Sequence, residues 1–250
     1  MSAAQPDETT DAGASLRARL EAVRRRIDTS ALRAGRDPAD VTLIAVSKTH
    51  PASLVAEAVE AGATDLGENR VQEADSKIAE IEGGGARRAR WHLIGHLQSN
   101  KARRAAGLFD VIHTVDSAAL LERLEKICAE DGRAELRVLA QVSLAGEATK
   151  AGAGLDELPR IVESARTCRH VRLAGLMTLP PFYEDTERVR PFFRRLRELR
   201  DEWGARGAFG DRTGELSMGM SHDFEVAVEE GATLVRVGTA IFGARPAARG

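Results

Sequence analysis

The chain has 250 residues, 43% of them hydrophobic, 30% charged and only 4% aromatic, with a formal net charge of −2. Such a length suits one barrel or two small domains. The near-neutral balance excludes a global field that would recruit nucleic acid, and no apolar run is long enough to cross a bilayer. Neither nucleic acid nor membrane is expected as a partner.

The opening MSAAQPDETTDAGAS lacks a basic region followed by an apolar core, so it does not read as a signal peptide. Residues 1–12 are expected to be a disordered lead-in, and 13–250 a single domain. Cys128 and Cys168 fit no metal or redox spacing and read as buried or half-buried thiols of a reducing cytoplasm. No metal site is expected.

Leu16, Leu20, Val23 and Ile27 recur at helical spacing and predict a helix over about 13–34, closed by Gly35. The consecutive Arg24, Arg25 and Arg26 cannot share one helix face and read as solvated surface. Strands then alternate with helices. Strands are predicted at 41–48, 64–67, 91–95, 111–115, 136–144, 171–179, 215–218 and 233–237. Eight strand–helix alternations in one chain predict a closed parallel (β/α)8 barrel, an α/β fold. The doubly wound alternative would want a glycine-rich fingerprint after the first strand, and Ser47-Lys48-Thr49-His50 is not one.

Candidate chemistry begins at Val41–Lys48. Strand alternation puts Ile44, Val46 and Lys48 on one side. If that side faces the interior, Lys48 brings a partly desolvated amine to the barrel mouth, suited to Schiff-base chemistry. A strand-end lysine can also snorkel into solvent. Barrels commonly hold phosphate at the loops after strands seven and eight. Here those loops read Ser217-Met218-Gly219-Met220-Ser221 and Val237-Gly238-Thr239-Ala240, each joining glycine to a hydroxyl. Arg236, on the eighth strand, would face inward with Gly238 and need a partner. That partner could be a cavity heterocycle or carboxylate, or an acid on a neighbouring strand. Pyridoxal 5'-phosphate (PLP) fits all three features, with an aldehyde for Lys48, a ring nitrogen for Arg236 and a phosphate for the loops.

The segments Ile44–Lys48, Gly67-Glu68-Asn69-Arg70-Val71-Gln72-Glu73, Trp91–Lys101, Ser217–Ser221 and Val235–Gly243 closely resemble the pyridoxal phosphate homeostasis proteins, over about residues 14–245. The resemblance implies a barrel like the N-terminal domain of alanine racemase. By match of motif it implies an internal aldimine at Lys48, and phosphate contacts from Ser217, Ser221, Gly238 and Thr239 with Met218 and Gly219 in the same loop. It further implies that Arg236 faces the pyridine nitrogen and that Asn69 lines the cofactor. The implied role is intracellular control of PLP supply, with apo PLP-dependent enzymes as the recipients.

Robust catalysis is not expected, and no catalytic residue is assigned. Related racemases take a second acid/base, a tyrosine, from a partner's C-terminal domain, whereas this chain stops after the barrel. Its one tyrosine, Tyr183, falls in the loop after strand six. An arginine at the ring nitrogen also weakens the ring as an electron sink. The missing second domain predicts a monomer. A low-activity amino acid racemase and a cofactor-free Schiff-base aldolase acting on a phosphorylated sugar are the alternative readings. Lys150, in the loop after strand five, is either a second amine that receives the aldehyde or an exposed lysine.

Overall fold

A computed structural model describes residues 15–83, 89–144 and 152–244. Eight strands close into one all-parallel barrel in sequence order, β1 pairing both β2 and β8. They are β1 (Thr42–Val46), β2 (Asp65–Glu68), β3 (Arg90–Leu93), β4 (Val111–Val115), β5 (Leu136–Gln141), β6 (Val171–Met177), β7 (Glu215–Met220) and β8 (Leu234–Val237). The outer ring consists of α1 (Leu16–Arg33), α2 (Ala52–Glu60), α3 (Val71–Gly83), α4 (Ala102–Leu108), α5 (Ala118–Glu130), α6 (Leu158–Thr167), α7 (Arg190–Ala205), α8 (Phe224–Glu229) and α9 (Thr239–Phe242). The (β/α)8 expectation is met. The strands are legible because each is covered on both faces and therefore runs aliphatic.

Two apolar layers hold the fold. The larger fills the space between sheet and helices and takes in Leu20, Val55, Leu124, Phe193 and Phe224. The smaller, Ile44, Val111, Leu139, Met177 and Leu234, plugs the barrel interior. Ser15 N-caps α1 by accepting from Ala18 N, and Gly35 leaves that helix at φ +69°. Of the consecutive Arg24, Arg25 and Arg26, Arg24 donates to Gly62 O and Arg26 pairs with Glu225. They tie α1 to the ring instead of standing only in solvent.

Gly175 marks the tightest strand contact. A Cβ added there would lie 2.1 Å from Glu215 O and 2.5 Å from its N, both backbone atoms of β7. Neither can rotate away, so β6 and β7 would have to separate. Gly175→Ala is expected to lower unfolding free energy by at least ~2 kcal/mol. Urea denaturation of the variant against wild type checks this.

Candidate functional site

In a parallel barrel the loops that follow the strands share one mouth. Lys48 after β1, Asn69 after β2, Ser221 after β7 and Gly238 after β8 therefore rim the same end. β1 and β8 are neighbours, and a Cβ on Gly238 would come 3.2 Å from Val46 O. The β8 loop thus lies directly beside the strand that leads to Lys48.

Lys48 itself is not in the strand. β1 ends at Val46, and Lys48 and Thr49 form the centre of a turn closed by His50 N donating to Ser47 O at 3.2 Å. Thr49 adopts φ +69°, unusual for a β-branched residue, and its N–H is held by Glu73 Oε1. Below the turn lies a buried cluster that sequence reasoning missed. Lys77 Nζ, on α3, sits 2.7 Å from each of Ser47 O, Glu68 Oε1 and Glu73 Oε1. Ser47 Oγ also donates to Glu68 Oε1 at 2.6 Å. Burial raises the Glu68 carboxyl above its usual range, against the pull of hydrogen bonds from Lys77 and Ser47. Lys48 is partly buried and Asn69 likewise.

The β7 and β8 loops meet through Gly238 N, which donates to Ser221 Oγ at 3.1 Å. Ser221 keeps its own hydroxyl hydrogen to give to an anion. Gly219 turns at φ +91°, and a Cβ there would strike Ala227 Cβ at 2.6 Å and Phe224 Cα at 2.9 Å. Only glycine lets the end of β7 fold against α8. Thr239 is exposed at the first position of α9.

Two residues expected at the phosphate stand elsewhere. Ser217 was expected both near the end of a strand at 215–218 and at the head of the phosphate loop. β7 runs on to Met220, so Ser217 lies well inside the strand and away from the loop. It is fully buried, with Oγ 2.8 Å from His113 Nδ1 and 2.5 Å from Arg236 Nη1. The side chain of Met218 points the other way, into the core between sheet and helices. Lys150 lies outside the described residues, as does the lead-in of residues 1–12.

Arg236 enters the barrel interior as expected and is almost wholly buried. It donates from Nη1 to Ser217 Oγ and from Nη2 to Thr178 O at 3.0 Å, both uncharged oxygens. Burial pulls its pKa down to about 10, while the charge of Asp223 favours the cation. Behind Ser217 the polar chain continues. His113 Nε2 lies 2.9 Å from His92 Nδ1, and His92 Nε2 lies 2.9 Å from Asp65 Oδ1. The histidines and Asp65 were missed as a site. Their signal was a polar residue buried within each of three strands. His96 is exposed and faces Asp116, and among the described residues no cluster of three metal-ligating side chains forms.

The family described as "Alanine racemase, N-terminal domain" matches residues 18–246. A "Pyridoxal phosphate homeostasis protein" of Aquifex aeolicus (strain VF5) is 41% identical over 227 residues, covering 91% of this chain and 97% of its own. The protein of that name from Escherichia coli (strain K12) is 41% identical over 229 residues, covering 90% and 95%. The chain belongs to the pyridoxal phosphate homeostasis protein family. Among solved structures, PipY of Synechococcus elongatus PCC7942 with PLP bound is 40% identical, with TM-score 0.80 over 92% of this chain and all of that one. An alanine racemase of Clostridium difficile 630 is only 16% identical at TM-score 0.68, and this likeness speaks for the fold alone. No helix among the described residues is long and apolar enough to cross a membrane.

Proposed function

We propose that this protein binds PLP at the C-terminal mouth of its barrel and serves cytoplasmic cofactor homeostasis as a holder and supplier, without turning over a substrate of its own. The observation that carries the reading is the convergence on one rim of an amine, a hydroxyl-and-glycine anion cradle and a buried guanidinium. The residues fit the group. Gly219 and Gly238 leave no room for side chains where the two loops press on α8 and β1. Ser221 has a hydrogen to donate, and Arg236 carries positive charge against neutral acceptors only. The PLP-bound relative at 40% identity supports the same choice.

When bound, PLP supplies an aldehyde that condenses with a primary amine and a ring able to withdraw electrons. Lys48 would provide the amine. Ser221, Gly219, Gly238 and Thr239 would hold the phosphate, Asn69 would line the ring, and Arg236 would donate to the ring nitrogen. A guanidinium there keeps that nitrogen unprotonated and the ring a poor electron sink. Tyr183 supports the same view. It packs on Phe192 with ring centroids 6.3 Å apart and lies under the Arg188 guanidinium at 4.4 Å, the place of a packed loop residue and not of an acid/base. The single domain of residues 13–250 and a monomeric state belong to this proposal.

The test is the visible spectrum of the full chain mixed with PLP, before and after borohydride. A yellow band that bleaches and leaves the cofactor's mass fixed on Lys48 supports the reading. A colourless protein labelled only with a sugar phosphate would replace it with the aldolase.

A further inference from the structure

We propose that Asp65, His92, His113 and Ser217 form a one-directional hydrogen-bond relay across the barrel that positions Arg236, with both imidazoles neutral and protonated on Nε2 only. The direction follows from the ends. Arg236 can only donate. Burial pushes the Asp65 carboxyl up, but hydrogen bonds from His92 and Arg90 outweigh it and hold it at about 2, so near neutral pH it only accepts. His92 must therefore give its Nε2–H to Asp65. If His92 is neutral, its Nδ1 accepts from His113 Nε2–H. His113 Nδ1 then accepts the Ser217 hydroxyl hydrogen, and the Ser217 oxygen turns its lone pairs to Arg236 Nη1. Each gap holds one hydrogen and no two donors meet.

A second arrangement satisfies the same gaps but needs one more proton. His92 would be cationic, and His113 would donate from Nδ1 to Ser217. The charges around the pair decide between them. Arg90 on β3 pairs with Asp65 from below, Arg236 on β8 stands above, and Arg137 on β5 acts on His113 from the side, itself paired to Glu215. Asp65 is thus already shared with one cation before any imidazolium forms. Burial above all holds His113 well below its usual value, so His113 is neutral in either arrangement and the choice falls on His92. The neutral, one-directional form is the one that adds no second buried positive charge beside Arg236. Ser217 and Thr178 O then hold two arms of Arg236 through uncharged oxygens, and the nearby charge of Asp223 favours the cation. Asp65, His92 and His113 act through Arg236 and are positioning residues.

The tautomers are read on the full chain without cofactor, by long-range proton–nitrogen correlation after histidine 15N labelling. His92 and His113 should each show an unprotonated Nδ1 and a protonated Nε2 at neutral pH. An Nδ1–H on either ring, or an imidazolium at neutral pH, overturns the relay. The positioning role, which rests on the functional reading above, is tested with two variants. Glutamine can accept and donate at once, whereas leucine can do neither. His113→Leu should weaken PLP binding about tenfold while His113→Gln stays within about threefold of wild type. Equal affinities for Leu, Gln and wild type overturn the positioning role. If His113→Leu fails to fold, His113→Gln still decides, since a tenfold loss there counts against it. Wild-type protein that binds no PLP would sink the functional reading, while its tautomers would still decide the relay.

Discussion

Lys48→Ala should abolish fixation of PLP by borohydride while leaving the barrel folded. The substitution removes one amine from a turn whose backbone is held by other groups. Ser47 N donates to Gly67 O at 3.0 Å, Ser47 O accepts from Lys77, and Thr49 N is taken by Glu73. None of these bonds uses the Lys48 side chain. The anion cradle and Arg236 belong to β7 and β8 and remain in place, so binding through the phosphate should persist with PLP affinity lower by about a hundredfold. Lys48→Arg sharpens the test, because arginine keeps the positive charge but does not deprotonate to a nucleophile. If electrostatic attraction were the whole contribution of Lys48, arginine would restore affinity. The expected result is that it restores neither the yellow band nor the fixed mass. Mass spectrometry of borohydride-treated protein decides, and a label on another lysine in Lys48→Ala would remove Lys48 from the reading.

The barrel was legible because its determinants are local. Doubly buried parallel strands write themselves as aliphatic runs such as Thr42–Val46 and Val171–Met177, and turn residues separate them from amphipathic helices. Strand ends were less legible, and two functional assignments turned on them. Lys48 was expected inside a strand that stops at Val46, because nothing in Ser47-Lys48 forbids one more extended residue. Ser217 was expected at the head of a phosphate loop because it opens the Ser217–Ser221 motif, yet β7 continues to Met220. The register shift between Ser217 and Met220 lets the strand do so. Alternation then buries Ser217 one layer below the mouth. The Asp65–His92–His113 chain was illegible for a different reason. Its members come from β2, β3 and β4, and their meeting depends on the register of three neighbouring strands and not on any spacing along the sequence. The same holds for Glu68 and Lys77, where a strand and the helix after it must pack before the charges meet.

Those last two residues carry the other large effect. Lys77→Met should destabilise the protein by about 3–5 kcal/mol near pH 8, because it strands a buried carboxylate. Glu68 is fully buried, its Oε2 has no hydrogen-bond partner, and Lys77 is the cation 2.7 Å from its other oxygen. The pH dependence has a definite sign. Glu68 has its folded-state pKa raised, so the folded form holds the proton more tightly than the unfolded chain does. The stability this group contributes is fully present below its unfolded pKa of about 4.3 and is lost as pH rises through the folded value. Lys77 limits that loss in wild type by favouring the carboxylate, and methionine removes the limit. The deficit of Lys77→Met should therefore shrink steadily as pH falls from about 8 towards about 5. Adding Glu68→Gln removes the stranded charge and should recover most of the loss at the higher pH. Urea denaturation of the three variants at both pH values is the check. A deficit independent of pH, or a double variant no more stable than Lys77→Met, would mean that Lys77 matters through packing alone. The cluster also bears on the site, since the carbonyl held by Lys77 belongs to Ser47, the residue that leads into the turn of Lys48. The charge pair that makes the fold sensitive to Lys77 is thus the same one that fixes where the amine stands.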